Sequence, residues 1–85
     1  MGAEQLRDLL RRRPFVPLRL HLTDGTTYDI RHPEMALITR STVDIGIEGD
    51  TGSGIAESVV YCSLVHIVRA ENIETHVFPQ LGGTS

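Results

Sequence analysis

Phe15-Val16-Pro17-Leu18-Arg19-Leu20-His21-Leu22-Thr23-Asp24-Gly25-Thr26-Thr27-Tyr28-Asp29-Ile30-Arg31-His32 is the stretch whose reading decides the fold. Leu18, Leu20 and Leu22 alternate with Arg19, His21 and Thr23, the period of two that marks a half-buried strand. Asp24-Gly25 is a strong turn signal, and after it Tyr28 and Ile30 alternate with Asp29 and Arg31. The stretch is a β-hairpin with one apolar face. A two-residue Asp-Gly loop would set Leu20 opposite Asp29 and mix apolar with polar side chains on each face. A three-residue loop, Thr23-Asp24-Gly25, pairs Leu22 with Thr26, Leu20 with Tyr28 and Leu18 with Ile30. The second register keeps the apolar face intact and places Gly25 at the left-handed position of a bulged loop.

Outward from the hairpin, residues 3–13 read as a helix. Leu6, Leu9 and Leu10 form a narrow apolar stripe. Glu4 and Asp8 come early and Arg11, Arg12 and Arg13 come last, which complements the helix dipole. Pro14 stops the helix, and Pro17 marks an edge or a bend at the entry to the first strand. On the other side, His32-Pro33-Glu34 breaks the second strand. Residues 35–39 and 43–47 read as two more strands, with Ile38 opposite Val43 and Ala36 opposite Ile45. Met35 and Leu37 then face away, toward either a second small core under the helix or an interface.

Residues 48–57 are rich in Gly, Ser, Thr and Asp and read as a flexible surface loop. They hold no Gly-x-x-x-x-Gly-Lys-Ser/Thr pattern, and the chain has no Lys at all. Residues 58–68 are the most apolar stretch and predict a central strand buried on both faces, broken near Ser63. Residues 69–74 extend that strand or form a last one, and 76–85 predict a frayed tail.

The 85 residues amount to one small domain, residues 1–75, with a modest core. The predicted class is mainly β (α+β), with the helix at 3–13 and a strongly bent sheet of about five antiparallel strands, or a small barrel, over 15–74. A net charge of −3 disfavours non-specific nucleic-acid binding. All eight basic residues are Arg, a composition of GC-rich bacterial genomes. One cysteine, Cys62, suits a reducing compartment. No apolar run is long enough for a membrane span and the N-terminus lacks a signal-peptide pattern, so the sequence predicts a soluble cytoplasmic protein.

Little in the chain announces chemistry. His21, His32, His66 and His76 match no zinc spacing, even with Cys62, so no metal or other cofactor is predicted. Cys62 sits in an apolar strand, where thiols are inert. His32 and Glu34 form the most site-like polar group, either a simple turn or an imidazole oriented by a carboxylate for acid–base work. The Arg11-Arg12-Arg13 triplet is either a solvated match to the helix dipole or a phosphate contact. With no catalytic motif, the expected function is a non-enzymatic interaction or scaffold module that self-associates or takes a protein partner.

Leu6-Arg7-Asp8-Leu9-Leu10 with Pro14-Phe15, Leu20-His21-Leu22-Thr23-Asp24-Gly25, His32-Pro33-Glu34 and Leu64-Val65-His66-Ile67 resemble a family of short uncharacterised bacterial proteins. That resemblance implies no activity and no functional residue. The architecture is similar to the Sm-like fold, a small barrel of the SH3-like class. This resemblance implies ring oligomers that bind single-stranded RNA, with Arg11, Arg12, Arg13, Arg40 and Tyr61 as the candidate contacts. The chain departs from the Sm-like pattern by lacking its Arg-Gly signature and its Asn-containing nucleotide pocket, and by being acidic. The remaining alternative is a small hydrolase or metal site around His32 and Glu34.

Overall fold

The computed structural model describes residues 1–49 and 54–73. It is mainly β, with one N-terminal helix and two small antiparallel sheets. Helix α1 spans Ala3–Arg11 and buries Leu6 and Leu10, the stripe expected from their spacing. Gln5 Oε1 accepts the Gly2 N–H at 3.2 Å and ties down the first turn. The helix ends two residues before the expected Arg13. Pro14 disfavours helical backbone in the residue before it, and Arg12 already adopts an extended ψ of 138°. Arg13 turns its side chain back and donates to the Leu10 carbonyl at 3.0 Å.

Strands β1 (Leu18–Leu22) and β2 (Thr27–Ile30) form the hairpin. Its register pairs Leu20 with Tyr28 and Leu18 with Ile30, as the three-residue loop requires. Gly25 has φ of +88°, which a side chain would strain. Asp24 Oδ1 accepts the Thr26 N–H at 2.9 Å, so the turn is closed by its own side chain. Pro17 lies just outside β1, which is the middle strand of its sheet and not the expected edge; the bend falls at Arg13 and Pro14, and the Pro17 carbonyl accepts the Ile73 N–H at 2.9 Å.

After His32 the chain makes a single 3₁₀ turn, Pro33–Met35, and enters β3 (Ala36–Ile38). This strand is shorter than the predicted 35–39 because Pro33 starts a turn that consumes Met35. Strand β4 (Thr42–Glu48) returns beside it, with Ile38 opposite Val43 and Ala36 opposite Ile45, as expected. Met35 and Leu37 part company. The Met35 methyl lies over Gly46, where an added Cβ would stand 3.2 Å from it. Leu37 is 64% exposed.

Strand β5 (Ala56–Ser63) corrects the sequence reading most sharply. It pairs only with β4 among the described residues, and most of its side chains are exposed. The stretch is thus neither central nor buried on both faces. The predicted break near Ser63 is present as a second 3₁₀ turn, Leu64–His66, followed by β6 (Ile67–Asn72). Residues 50–53 of the predicted loop and all of the predicted tail lie outside the described residues.

Among the described residues, six strands form two sheets, ordered β2-β1-β6 and β3-β4-β5. Their inner faces meet in one cluster with α1, built on Leu6, Leu18, Leu20, Ile30, Val43 and Ile45. Two backbone bonds join the second 3₁₀ turn to both sheets. Leu64 N–H donates to Ser41 O and Thr23 N–H donates to His66 O, each at 2.9 Å. No helix among the described residues is long and apolar enough to cross a membrane.

Candidate functional site

The two sheets present different outer faces. On the first, β1, β2 and β6 carry charge. Arg19 donates from Nε to Asp29 Oδ1 at 2.8 Å and from Nη2 to Oδ2 at 3.1 Å. Arg31 adds a bond to Asp29 at 3.3 Å. The Arg19 hydrogen bonds hold the Asp29 carboxyl below its ordinary range, against a smaller opposing push from burial. His21 Nε2 lies 2.7 Å from Glu71 Oε1, and this bond lowers the Glu71 carboxyl in the same sense.

The outer face of the second sheet sets exposed apolar side chains among polar ones. Alternation along β4 and β5 turns Val43, Ile45 and Cys62 inward and leaves Asp44, Val59 and Tyr61 outward. Cross-strand register sets Leu37 and Tyr61 on either side of Asp44 in one row, and Val59 beside Gly46 in the next. Tyr61 is 73% exposed and Val59 49%. The sequence alone turns Leu37 away from the main face and names Tyr61 as a candidate contact, but it places Val59 and Tyr61 in a run that looks like core, so their shared outward face with Leu37 is not legible there.

Among the described residues, three hollows stand out between the elements. The largest, about 580 Å³, lies between α1 and the Pro33–Thr39 segment. Arg7, Arg11, Arg13 and Glu34 line it over an aliphatic floor of Leu10, Ala36 and Ile38. The second, about 400 Å³, is polar and lined by Tyr28, Asp29, Arg31, His32 and Glu48 among others. The third, about 440 Å³, is lined by Asp24, Tyr28, Tyr61, Cys62 and His66 among others. There Thr23 Oγ1 lies 3.5 Å from His66 Nδ1. The Thr26 backbone N–H holds the Asp24 carboxyl low.

The sequence candidates are therefore scattered. Arg11, Arg13 and Glu34 share the α1 groove, while Arg12 and Arg40 line none of the three hollows. Tyr61 lines the third. His32 and Glu34, adjacent but for one proline, line different hollows. Pro33 begins a 3₁₀ turn, and that turn separates the imidazole and carboxylate instead of clasping them. Cys62 shares a hollow with His66, yet it is only 3% exposed and burial pushes its thiol up, the opposite of an activated nucleophile. No group of three or more His, Cys, Asp or Glu side chains suited to a metal ion occurs among the described residues. No family model, curated protein or solved structure matches the chain.

Proposed function

We propose that this chain is a non-enzymatic interaction module that self-associates through the outer face and outer edge of β5. The observation that carries this reading is the exposure of Val59 and Tyr61 on β5, a strand paired on one side only among the described residues, with Leu37 exposed on β3 across Asp44. A long, β-branched edge strand with free backbone donors and acceptors is a template for another strand. Contiguous exposed apolar side chains mark partner surfaces. Strand β6 likewise pairs only with β1 among the described residues. Joining β5 of one copy to β6 of the next is a heterologous contact that builds a ring where its rotation closes and a filament where it does not, while β5 against β5 builds a two-fold dimer. The passage of β2 into β3, and of β5 into β6, through single 3₁₀ turns supports a strongly bent, partly open barrel.

The RNA-binding ring is the weaker of the readings. Its contacts require Arg11 to Arg13, Arg40 and Tyr61 on one surface, but Tyr61 shares its hollow with Asp24, whose charge repels phosphate. The hydrolase reading requires His32 and Glu34 to act together, and they line separate hollows. Light scattering at two protein concentrations and two salt levels tests self-association. The expected result is an oligomer that Val59→Glu and Tyr61→Glu each convert to monomer while the circular dichroism of the fold is kept. A monomer at every condition, or an oligomer indifferent to both substitutions, defeats the proposal.

A further inference from the structure

The groove between α1 and β3 contains an arginine with two of its five donors engaged. Arg13 Nη1 donates to Leu10 O at 3.0 Å and to Arg12 O at 2.8 Å. A guanidinium carries five N–H bonds in a rigid fork, so three remain on the Nε and Nη2 side. Those three have no partner among the described residues. The same side of Arg19 grips the Asp29 carboxylate with two bonds, so the protein itself contains an example of what that edge takes. Anchoring by two backbone carbonyls fixes the Arg13 fork before any ligand arrives, which lowers the ordering cost of binding.

The surroundings narrow the ligand further. Arg11 lines the same groove and has no ionic partner among the described residues. The lining carries three arginines and two glutamates, a net single positive charge. That balance suits one negative charge and disfavours a polyphosphate. Glu4 lies seven residues before Arg11, about 10 Å away along the helix. A carboxylate held at the Arg11 and Arg13 end therefore keeps clear of it. The floor of Leu10, Ala36 and Ile38 is aliphatic, and among the described residues no aromatic ring lines the groove to stack a base. A volume of about 580 Å³ falls within the range of small-molecule sites.

We infer that this groove binds a monocarboxylate with an aliphatic body. Arg13 chelates the carboxylate through Nε and Nη2, Arg11 adds a second cation, and Leu10, Ala36 and Ile38 take the chain. Neither Val59 nor Tyr61 lines this groove, so the inference stands apart from self-association.

The test is a ¹H–¹⁵N NMR titration with octanoate, with octanol and inorganic phosphate as comparators. The expected result is saturable shifts at Ala36, Ile38 and Thr39 with octanoate, and none of that pattern with octanol. Arg13→Lys keeps the charge and loses the fork, and it should weaken octanoate about tenfold. Absence of saturable shifts with octanoate overturns the inference, as does equal binding of octanol. Phosphate producing the same shifts at equal or lower concentration also overturns it, because the site would then be a plain anion site. Should Arg13→Lys lose its native spectrum, the double variant Arg7→Gln/Arg11→Gln carries the test. Unchanged octanoate affinity in that variant overturns the inference too.

Discussion

Arg19 and Asp29 face each other across the hairpin and close with two near-parallel hydrogen bonds, Nε to Oδ1 at 2.8 Å and Nη2 to Oδ2 at 3.1 Å. The pairing follows from the Thr23-Asp24-Gly25 loop, which sets Arg19 against Asp29 in the same register that sets Leu20 against Tyr28. One turn thus organises a polar face and an apolar face together. Because Asp29 is held below its ordinary pKa, folding favours its ionised form. That stability is fully present above the unfolded value near 3.8 and is lost as pH falls through the lower folded value. Chemical denaturation of Asp29→Asn and the parent at pH 7, 5, 4 and 3 should show a gap that is constant down to about pH 5 and closes below pH 4. A gap that widens toward low pH would contradict the assignment.

Leu20 is fully buried on the central strand of the first sheet, and Leu37 is largely exposed on the second. Leu20→Ala removes core volume and should cost about 2–5 kcal/mol, enough to remove most of the stability of a domain this size. Leu37→Ala should stay within about 0.5 kcal/mol. Urea titration of both compares them directly. Equal losses would mean that the two faces of the molecule are wrongly assigned.

Gly25 holds φ of +88° at the closing position of the hairpin loop, in open space. Gly25→Ala meets no neighbour, so its cost is purely conformational, about 1–2 kcal/mol. Asn tolerates left-handed backbone, and Gly25→Asn should cost less. Thermal unfolding ranks the three proteins. Alanine ranking above asparagine would reject the bulged loop as the reason for glycine here.

Cys62 lies 3% exposed beside Val43, its cross-strand neighbour, and burial raises its thiol pKa. Both effects suppress the thiolate, so an aromatic disulfide reagent should label the native protein slowly and at a rate that follows unfolding in urea. Rapid stoichiometric labelling of the native state, faster than global opening, would show that β5 exposes its inner face.

Much of the local architecture was legible because its causes are local. The hairpin register, the left-handed glycine and the Ile38–Val43 and Ala36–Ile45 pairings follow from alternation over a few residues and from one turn. The helix was legible for the same reason, apart from its last two residues. There Pro14 disfavours helical backbone at Arg13, Arg12 is already extended, and Arg13 instead donates to the Leu10 and Arg12 carbonyls. The candidate site was legible only in pieces. Arg11, Arg13 and Glu34 stand out as charges in the sequence, but their meeting over Ala36 and Ile38 depends on where α1 packs.

From the sequence alone come the class of the chain, its turns and the inward face of each strand of the hairpin. Periodicity determines which side chains share a face, because side-chain direction alternates strictly along a strand. It does not determine whether a second layer covers that face. Residues 58–68 are rich in β-branched and apolar side chains, so they satisfy the pattern of a strand covered on both sides equally well from an edge position. Only the tertiary structure placed β5 at an edge with Val59 and Tyr61 outward, and β1 at the centre of its sheet between β2 and β6. Long-range strand order is set by which pairings bury the most surface once their loops are closed. That sum runs over the whole chain and is not written in any one stretch of it.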